Sequence, residues 1–131
     1  MELFYVEDNP ADVKLLKAAF RLTKFEPRMT IAEDGLQAVG MIKGRFEDRK
    51  PLPNLILVDL NLPKMNGYDV LKYLKENPEF KSLPVIIFTG SSNPDDRSRS
   101  LSMQADDYWA KPYDLEQAIE IAKKLKSLIA G

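Results

Sequence analysis

The side chains available for chemistry in this 131-residue chain are carboxylates, hydroxyls and lysines, because the sequence contains neither His nor Cys. Without imidazole or thiol groups, we exclude a Ser-His-Asp triad, a thiol nucleophile, a disulfide and an ordinary zinc site. The lack of Cys also suits a cytoplasmic protein. Any reaction must therefore use Asp, Glu, Lys, Ser or Thr, with or without a hard cation that prefers oxygen ligands.

Five side chains of this kind share one place in the sequence pattern, at or just after the end of a short segment that reads as a β-strand. They are Glu7, Asp8, Asp59, Thr89 and Lys111. The carboxyl ends of parallel strands meet at one edge of a sheet, where ligands bind in open α/β folds. We therefore expect three carboxylates, one hydroxyl and one ammonium to converge on a single site.

Such a cluster has a defined chemistry. Crowded carboxylates resist ionisation unless positive charge compensates them. Lys111 supplies one positive charge, and Mg²⁺, which prefers oxygen ligands, would supply the rest. Carboxylate, Mg²⁺, lysine and hydroxyl together suit phosphoryl transfer, in which catalysis is mainly positioning and charge neutralisation. The natural nucleophile is a carboxylate, which would form an aspartyl phosphate.

Taken singly, each of these residues has an ordinary structural explanation. A carboxylate after a strand often caps the next helix, Thr is common in strands, and Lys is usually solvated. Asp59 is the least ordinary, because it ends a wholly apolar segment and precedes a loop that contains Pro and Gly. The combination at four separate strand ends favours a functional site.

The elements that must position these residues alternate along the chain. Three segments are wholly apolar, as expected of strands covered on both faces of a parallel sheet, and two weaker ones read as edge strands. The apolar segments are 3–6, 55–58 and 85–88, and the edge segments are 28–31 and 108–110. We predict a flavodoxin-like, doubly wound α/β fold, with a five-stranded parallel sheet in the order 2-1-3-4-5 and five helices.

Helical periodicity and the positions of the prolines predict the helices. Asn9 and Pro10 mark the start of the first, which places Val13, Leu16 and Phe20 on one face. The other helices are expected at 35–43, 67–76, 94–104 and 115–130, with a loop at 44–50. The side chains expected to face the core are Leu36, Val39 and Ile42 in the second helix, Leu71 and Leu74 in the third, and Leu115, Ile119, Ala122, Leu125 and Ile129 in the last.

Length and charge limit the remaining possibilities. A chain of 131 residues fits one domain, residues 1–131. Its 19 basic and 20 acidic residues give a net charge of −1, so no overall field attracts nucleic acid or an anionic membrane. We find neither a signal peptide nor an apolar run near the ~18 residues of a membrane span. Ile121 and Leu128 either complete the core or form a homodimer contact, and we expect the core.

These motifs together resemble the receiver domain of bacterial two-component response regulators, the CheY-like family. The resemblance is carried by the segments 6–9, 58–67, 88–90 and 105–112. It covers essentially the whole chain and depends on the order and spacing of several motifs. It implies a signalling protein that catalyses only its own phosphorylation and dephosphorylation.

For the metal, the resemblance implies Mg²⁺ bound by Asp8, Asp59 and the backbone carbonyl of Asn61. Glu7 would act through a water molecule. Many members of the family have Asp at the position of Glu7, and the longer side chain should still reach the hydration shell of the metal.

For the phosphoryl group, the resemblance implies that Asp59 is the acceptor and that Lys111 contacts the group once it is bound. Thr89 and Tyr108 would form a switch, in which the hydroxyl moves to a phosphoryl oxygen and the aromatic ring turns inward. The bond between Lys111 and Pro112 corresponds to one that is usually cis in this family.

The partners follow from the same resemblance. Because the chain has no His, the donor must be a sensor histidine kinase, a phosphotransfer protein or a small acyl phosphate. A downstream effector would read the face formed by the fourth helix, the fifth strand and the fifth helix. The loops at 50–53, 77–79 and 83–84 resemble those of stand-alone regulators that serve bacterial phytochromes, so we expect a stand-alone receiver with such a kinase.

Three other functions stay open at this point. A flavodoxin-like FMN-binding electron carrier shares the fold, but Glu7 and Asp8 would repel the cofactor phosphate. A haloacid-dehalogenase-type phosphatase would need a second Asp where Asn61 stands. An interaction module independent of phosphorylation would bind its partner without Mg²⁺ and after the substitution Asp59→Asn.

Overall fold

Strands and helices alternate strictly along the chain. The structure is a computed structural model that describes residues 1–130. In chain order the elements are β1 (Glu2–Val6), α1 (Pro10–Leu22), β2 (Arg28–Ala32), α2 (Gly35–Glu47), β3 (Leu55–Val58), α3 (Gly67–Glu76), β4 (Val85–Thr89), α4 (Pro94–Ser102), β5 (Asp107–Ala110) and α5 (Leu115–Ala130). The strands form one parallel sheet in the order β2-β1-β3-β4-β5, which confirms the predicted fold class.

The sheet is covered on both faces because successive side chains of each central strand point to opposite sides. Every residue of β1, β3 and β4 is buried, whereas the edge strands β2 and β5 are partly exposed. One core cluster includes Phe4, Val6, Ile56, Val58, Ile87, Ile42, Leu71 and Leu74. The other includes Leu3, Tyr5, Leu57, Phe88, Leu16, Phe20, Ala122 and Leu125. The helices α2 and α3 therefore cover one face, and α1 and α5 cover the other.

The register of the sheet brings its carboxyl-terminal ends into line. Val6 pairs with Val58, so the residues that follow β1 and β3 lie side by side. Thr89 pairs with Ala110, so Lys111 comes one residue beyond the end of β4. Parallel pairing alone thus gathers the polar residues that follow the strands at one edge.

Short polar motifs fix where the first and third helices begin. The side chain of Asn9 accepts a hydrogen bond from the Ala11 N–H at 3.0 Å, and Pro10 is the first helical residue, as predicted. Asn66 and Asp69 form a capping box at the start of α3, which spans the predicted residues. The core positions predicted for both helices are buried.

The predicted end of α2 at residue 43 and the loop at 44–50 are wrong. The helix continues to Glu47, because contacts made by its last turn outweigh the low helix propensity of Gly44. The Arg45 guanidinium binds Glu2, and the Phe46 ring packs edge-on against Phe80 at 5.6 Å.

The face of α2 that meets the core also differs from the prediction. Ala38 and Ile42 are buried, Val39 is half-buried, and Leu36 is 57% exposed. The reason is the tight approach of Gly35 to the main chain of Met65, which sets the rotation of the helix. The expectation that Leu36 faces the core is therefore wrong.

The fourth and fifth helices require smaller corrections. α4 ends at Ser102 rather than at 104, because Gln104 adopts a left-handed conformation with φ of 74°. Leu115 and Leu128 of α5 are exposed, so placing them in the core is wrong, whereas Ile121 is buried as expected. Within the part of the chain described, no helix is both long and apolar enough to cross a membrane.

A bidentate ion pair joins the start of β1 to the last turn of α2. Both Glu2 carboxylate oxygens accept hydrogen bonds from the Arg45 guanidinium at 2.7 Å, and one also accepts from the Thr30 hydroxyl at 2.5 Å. The hydrogen bonds from Arg45 hold the pKa of Glu2 below its ordinary value of 4.5, although burial opposes the shift. This carboxylate therefore stabilises the fold above its ordinary pKa, and the stabilisation is lost as the pH falls through the lower, folded-state pKa.

We expect Glu2→Gln to reduce the free energy of unfolding by about 1–3 kcal/mol near neutral pH, because the Arg45 guanidinium loses its charged partner. The deficit should shrink as the pH approaches ~2, where the wild-type carboxylate is also protonated. Urea unfolding at several pH values measures both effects. Glu47→Gln is the control, since it breaks only the exposed pair with Lys43 at 4.0 Å and should change stability by less than ~0.5 kcal/mol. A deficit that does not vary with pH would contradict this account.

Candidate functional site

The main chain holds the candidate residues by extending the sheet past the ends of its strands. The N–H of Glu7 donates to the Ala32 carbonyl at 2.9 Å, and the N–H of Asp59 donates to the Val6 carbonyl at 3.2 Å. The N–H of Lys111 donates to the Thr89 carbonyl at 2.9 Å. Their side chains therefore start from backbone positions that hydrogen bonds tie to the neighbouring strands.

Three carboxylates meet at this edge. Glu7, Asp8 and Asp59 each present an oxygen atom, and these atoms all lie within 4.8 Å of one another. Glu7 and Asp59 are buried, with 1% and 3% of their surface exposed, whereas Asp8 is open to solvent. A donor set made only of carboxylate oxygens, open on one side, fits a hard divalent cation that retains several water molecules.

The ammonium of Lys111 neutralises part of this charge. It donates to Asp59 at 2.7 Å and to Asp12 at 2.9 Å, and its nitrogen forms an ion pair with a Glu7 oxygen at 2.5 Å. Burial by itself would lower the pKa of Lys111, but the hydrogen bonds to Asp59, Glu7 and Asp12 outweigh it, and the pKa is raised. The lysine is therefore a permanent cation at this site.

Asp12 was not predicted from the sequence. It lies in the first turn of α1, and this turn begins just beyond the end of β1. The available signal was an acidic residue two positions after Pro10, but acids are common in a first turn because they interact favourably with the helix dipole. Only the fold shows that this one faces Lys111.

The pKa of the buried Glu7 carboxylate reflects its burial and the acidic groups around it. Burial raises the pKa of Glu7 to about 7; the Lys111 hydrogen bond opposes the shift and the charge of Asp59 adds to it. The Tyr5 hydroxyl donates to Glu7 at 3.4 Å, and burial together with the Glu7 charge raises the pKa of Tyr5. One lysine therefore does not compensate this group of carboxylates fully, so a divalent cation would be stabilised here.

Asn61 contacts one of the carboxylates, whereas the hydroxyls of Thr89 and Tyr108 form hydrogen bonds with Ser91. The fully buried Thr89 hydroxyl accepts a hydrogen bond from the Ser91 N–H at 3.4 Å. The buried Tyr108 hydroxyl donates to the Ser91 carbonyl at 3.1 Å, so its ring already lies inward. The N–H of the exposed Asn61 donates to the Asp59 carboxylate at 3.3 Å. The predicted switch residues are thus linked through Ser91 rather than to each other.

A polar network beyond Ser91 was also missed. Asp96 in α4 accepts hydrogen bonds from the Ser91 and Tyr68 hydroxyls, both at 2.5 Å, and these bonds lower its pKa. The Arg99 guanidinium lies 3.9 Å from the centre of the Tyr68 ring. Because these residues are far apart in sequence and ordinary in type, nothing in their spacing predicted the network. It ties α4 to α3 and to the loop that follows Thr89.

The expected cis bond before Pro112 is wrong. Residues 1–130 contain no cis peptide bond, so Lys111 and Pro112 are joined in trans. The trans isomer is the intrinsically favoured form of a bond before proline. Lys111 makes its main-chain and side-chain contacts from this isomer.

The substitution Lys111→Met should raise the affinity of the site for Mg²⁺ about tenfold, the equivalent of ~1.4 kcal/mol. Methionine preserves the unbranched apolar stem but removes the ammonium that competes for the carboxylate oxygens. The affinity is measured from the increase in unfolding free energy with Mg²⁺ concentration. Lys123→Met, which removes an exposed ion pair with Glu120 at 3.4 Å, should leave the affinity unchanged. Equal affinities for the wild type and Lys111→Met would show that the ammonium and the metal do not compete.

Comparison with known families identifies the domain. The family model described as "Response regulator receiver domain" matches residues 3–123. The chain belongs to this family. The receiver domain is 34% identical over 126 residues to the response regulator Rcp1 of Synechocystis sp., with 95% of this chain and 86% of that protein covered. The resemblance inferred from the sequence is therefore confirmed, and the domain is classed with signalling proteins rather than with electron carriers or phosphatases.

Solved structures agree with this classification. The Mn²⁺-bound form of response regulator Rcp1 superposes with a TM-score of 0.84 at 34% identity, and 96% of this chain and 91% of that chain are covered. The phosphorylated cyanobacterial phytochrome response regulator RcpA gives a TM-score of 0.88 at 32% identity, with 99% and 94% covered. The first of these structures is described as bound to Mn²⁺. In this receiver domain, the carboxylate group described above could hold a divalent metal ion on the chemistry of its own oxygen atoms.

Proposed function

We propose that this receiver domain accepts a phosphoryl group on Asp59 in the presence of Mg²⁺ and transmits a signal through the resulting change of conformation. The observation that supports the proposal is the burial of Asp59 together with its contact to Lys111 and its place among the carboxylates. Its buried carboxylate lies 2.7 Å from the Lys111 ammonium and belongs to a carboxylate group that fits a hard cation. A nucleophile held beside two sources of positive charge is what phosphoryl transfer requires.

The residues of the chain divide the work of the transfer. An Asp59 oxygen attacks the phosphorus atom of the donor, a P–O or P–N bond of the donor breaks, and the leaving group keeps the electron pair. Lys111 donates an N–H to a phosphoryl oxygen as negative charge shifts. Asp8, Asp59 and the Asn61 carbonyl would bind the metal, with Glu7 reaching it through water. When bound, Mg²⁺ neutralises charge on the phosphoryl oxygens and lowers the barrier to attack.

Conformational change follows from the added charge. Phosphorylation adds roughly 1.5–2 negative charges next to Lys111. The Thr89 hydroxyl would then turn toward a phosphoryl oxygen and lose the Ser91 N–H that it accepts at 3.4 Å. Tyr108 senses this movement because its hydroxyl is bound to the carbonyl of the same Ser91. The change would bias the face formed by α4, β5 and α5, where a downstream effector protein binds.

The donor group lies outside residues 1–131, since these residues contain no His to carry a phosphohistidine. We infer that the donor is a sensor histidine kinase or a phosphotransfer protein in the cytoplasm, and that residues 1–131 form the receiver domain on which it acts. The similarity to a cyanobacterial phytochrome response regulator supports a bacterial phytochrome as the kinase. We propose neither nucleic acid nor a membrane as a direct binding partner.

Incubation with acetyl phosphate tests the proposal without knowledge of the kinase. We expect one phosphoryl group per chain in Mg²⁺ and none in excess EDTA, measured by intact mass spectrometry. Reduction with borohydride and peptide mapping should place the group on Asp59. Labelling at another residue, or none with either acetyl phosphate or phosphoramidate, would contradict the proposal. Partner binding that ignores Mg²⁺ and phosphorylation would instead support an interaction module.

A further inference from the structure

We propose that Asp12 is a positioning residue for Lys111, and that it holds the ammonium beside the site when the metal ion and the phosphoryl group take up the oxygens of Glu7 and Asp59. This inference rests on the proposed function and extends it by one residue. At this site a single cation, Lys111, is shared by three carboxylates.

The ammonium of Lys111 is shared by three carboxylates. Its nitrogen lies 2.5, 2.7 and 2.9 Å from oxygen atoms of Glu7, Asp59 and Asp12. The Lys111 side chain is only 15% exposed, so water cannot readily replace a lost acceptor. A buried ammonium that loses its partners is strongly destabilised, and each acceptor therefore matters.

Asp12 differs from the other two acceptors. Glu7 and Asp59 belong to the group whose oxygens lie within 4.8 Å of one another, and Asp12 does not. Asp12 also comes from the first turn of α1 rather than from a strand end, and its side chain is 27% exposed. Among the described residues, it is therefore the one acceptor of Lys111 for which the metal does not compete.

The consequence is a division of labour between carboxylates. While Asp12 draws the ammonium toward α1, the oxygens of Glu7 and Asp59 are easier for a cation to reach. Without Asp12, Lys111 would pair with those two alone, and a metal would have to displace a more tightly held competitor. We expect Asp12→Asn to weaken Mg²⁺ binding about 3- to 10-fold. At saturating Mg²⁺, phosphorylation by acetyl phosphate should slow to a similar extent, since the ammonium is less well placed.

An acidic residue in the first turn of a helix also has a purely structural use, worth about 0.3–1 kcal/mol through the helix dipole. Asp95 provides the matched control, because it occupies the first turn of α4 after the same Asn-Pro start. Asp95→Asn should lower stability slightly and leave both Mg²⁺ affinity and phosphorylation rate unchanged. Asp12→Glu, which keeps the charge, should recover part of the loss.

A double-mutant cycle tests whether Asp12 acts through Lys111. Mg²⁺ affinity is measured from unfolding for the wild type, Asp12→Asn, Lys111→Met and the double variant. We expect the effect of Asp12→Asn to fall below about twofold in the Lys111→Met background. An equal or larger effect there would mean that Asp12 acts only as a nearby charge and would overturn the proposal. Because these titrations use the unphosphorylated protein, their result stands even if Asp59 is never labelled.

Discussion

Asp59→Asn is expected to abolish phosphorylation by acetyl phosphate, with a fall in rate of about 10²-fold or more. The amide keeps the shape of the side chain but is neither a useful nucleophile nor a strong ligand for a hard cation. The effect should be large because Asp59 is buried, contacts the Lys111 ammonium and is one of the three carboxylates that could hold the metal ion. No water molecule can take its place.

Glu7 is the stringent control for this experiment. Like Asp59, it contacts Lys111, at 2.5 Å, and is one of the three carboxylates that could hold the metal ion. If mere proximity to the ammonium and the metal made an acceptor, Glu7→Gln and Asp59→Asn would have equal effects. We expect the Glu7→Gln variant to require a higher Mg²⁺ concentration for phosphorylation. At saturating Mg²⁺ it should still be phosphorylated on Asp59. Time courses by intact mass spectrometry measure both variants, and labelling of Asp59→Asn on Glu7 would reverse the assignment.

Gly67→Ala is expected to reduce the free energy of unfolding by about 3 kcal/mol. A Cβ atom at this position would overlap the carbonyl oxygen of Asp59 and lie 2.7 Å from the Cα of Leu60. Both are main-chain atoms that cannot rotate away, so α3 would have to move from the end of β3. The hydrogen bond from the Gly67 N–H to the Leu60 carbonyl, at 3.0 Å, would be strained by the same movement.

Gly40→Ala offers the matched control because the sign of its effect is opposite. Gly40 lies in the middle of α2, and a Cβ there would meet no atom within 4 Å. Alanine is the better helix former and restricts the unfolded chain, so stability should rise by about 0.4–1 kcal/mol. Urea unfolding of both variants compares the two glycines directly. Destabilisation of similar size in both would mean that the close approach to Asp59 is not the cause.

Features with a local cause could be predicted from the sequence. Continuous apolar runs marked the central strands, and β3 has the bounds that its run indicated. The Asn-Pro start of α1 depends on atoms within a few residues, so its signal is complete in the sequence. The meeting of carboxylates at one edge required only parallel pairing and the position of each residue after its strand.

Features with a distant cause could not be predicted. Gly44 has a low helix propensity, which predicts that the helix ends there. Helix α2 nevertheless continues to Glu47, because Arg45 binds Glu2 and Phe46 packs on Phe80. Leu36 is apolar but exposed, since the rotation of α2 is set by a backbone contact at Gly35. The contact between Asp12 and Lys111 joins residues 99 positions apart, and the sequence around either residue does not indicate that the other is its partner.

The composition of α4 sets the energy scale for movement in this domain. Its one buried residue is Ser100, whose hydroxyl has no hydrogen-bond partner among the residues described. Attachment depends on Asp96 and on the guanidinium groups of Arg97 and Arg99. Displacing this helix would therefore uncover little apolar surface and would exchange a few polar contacts for water, a trade of a few kcal/mol at most. A single chemical event elsewhere can supply that much free energy, whereas shifting α1 or α3 would mean opening the hydrophobic core.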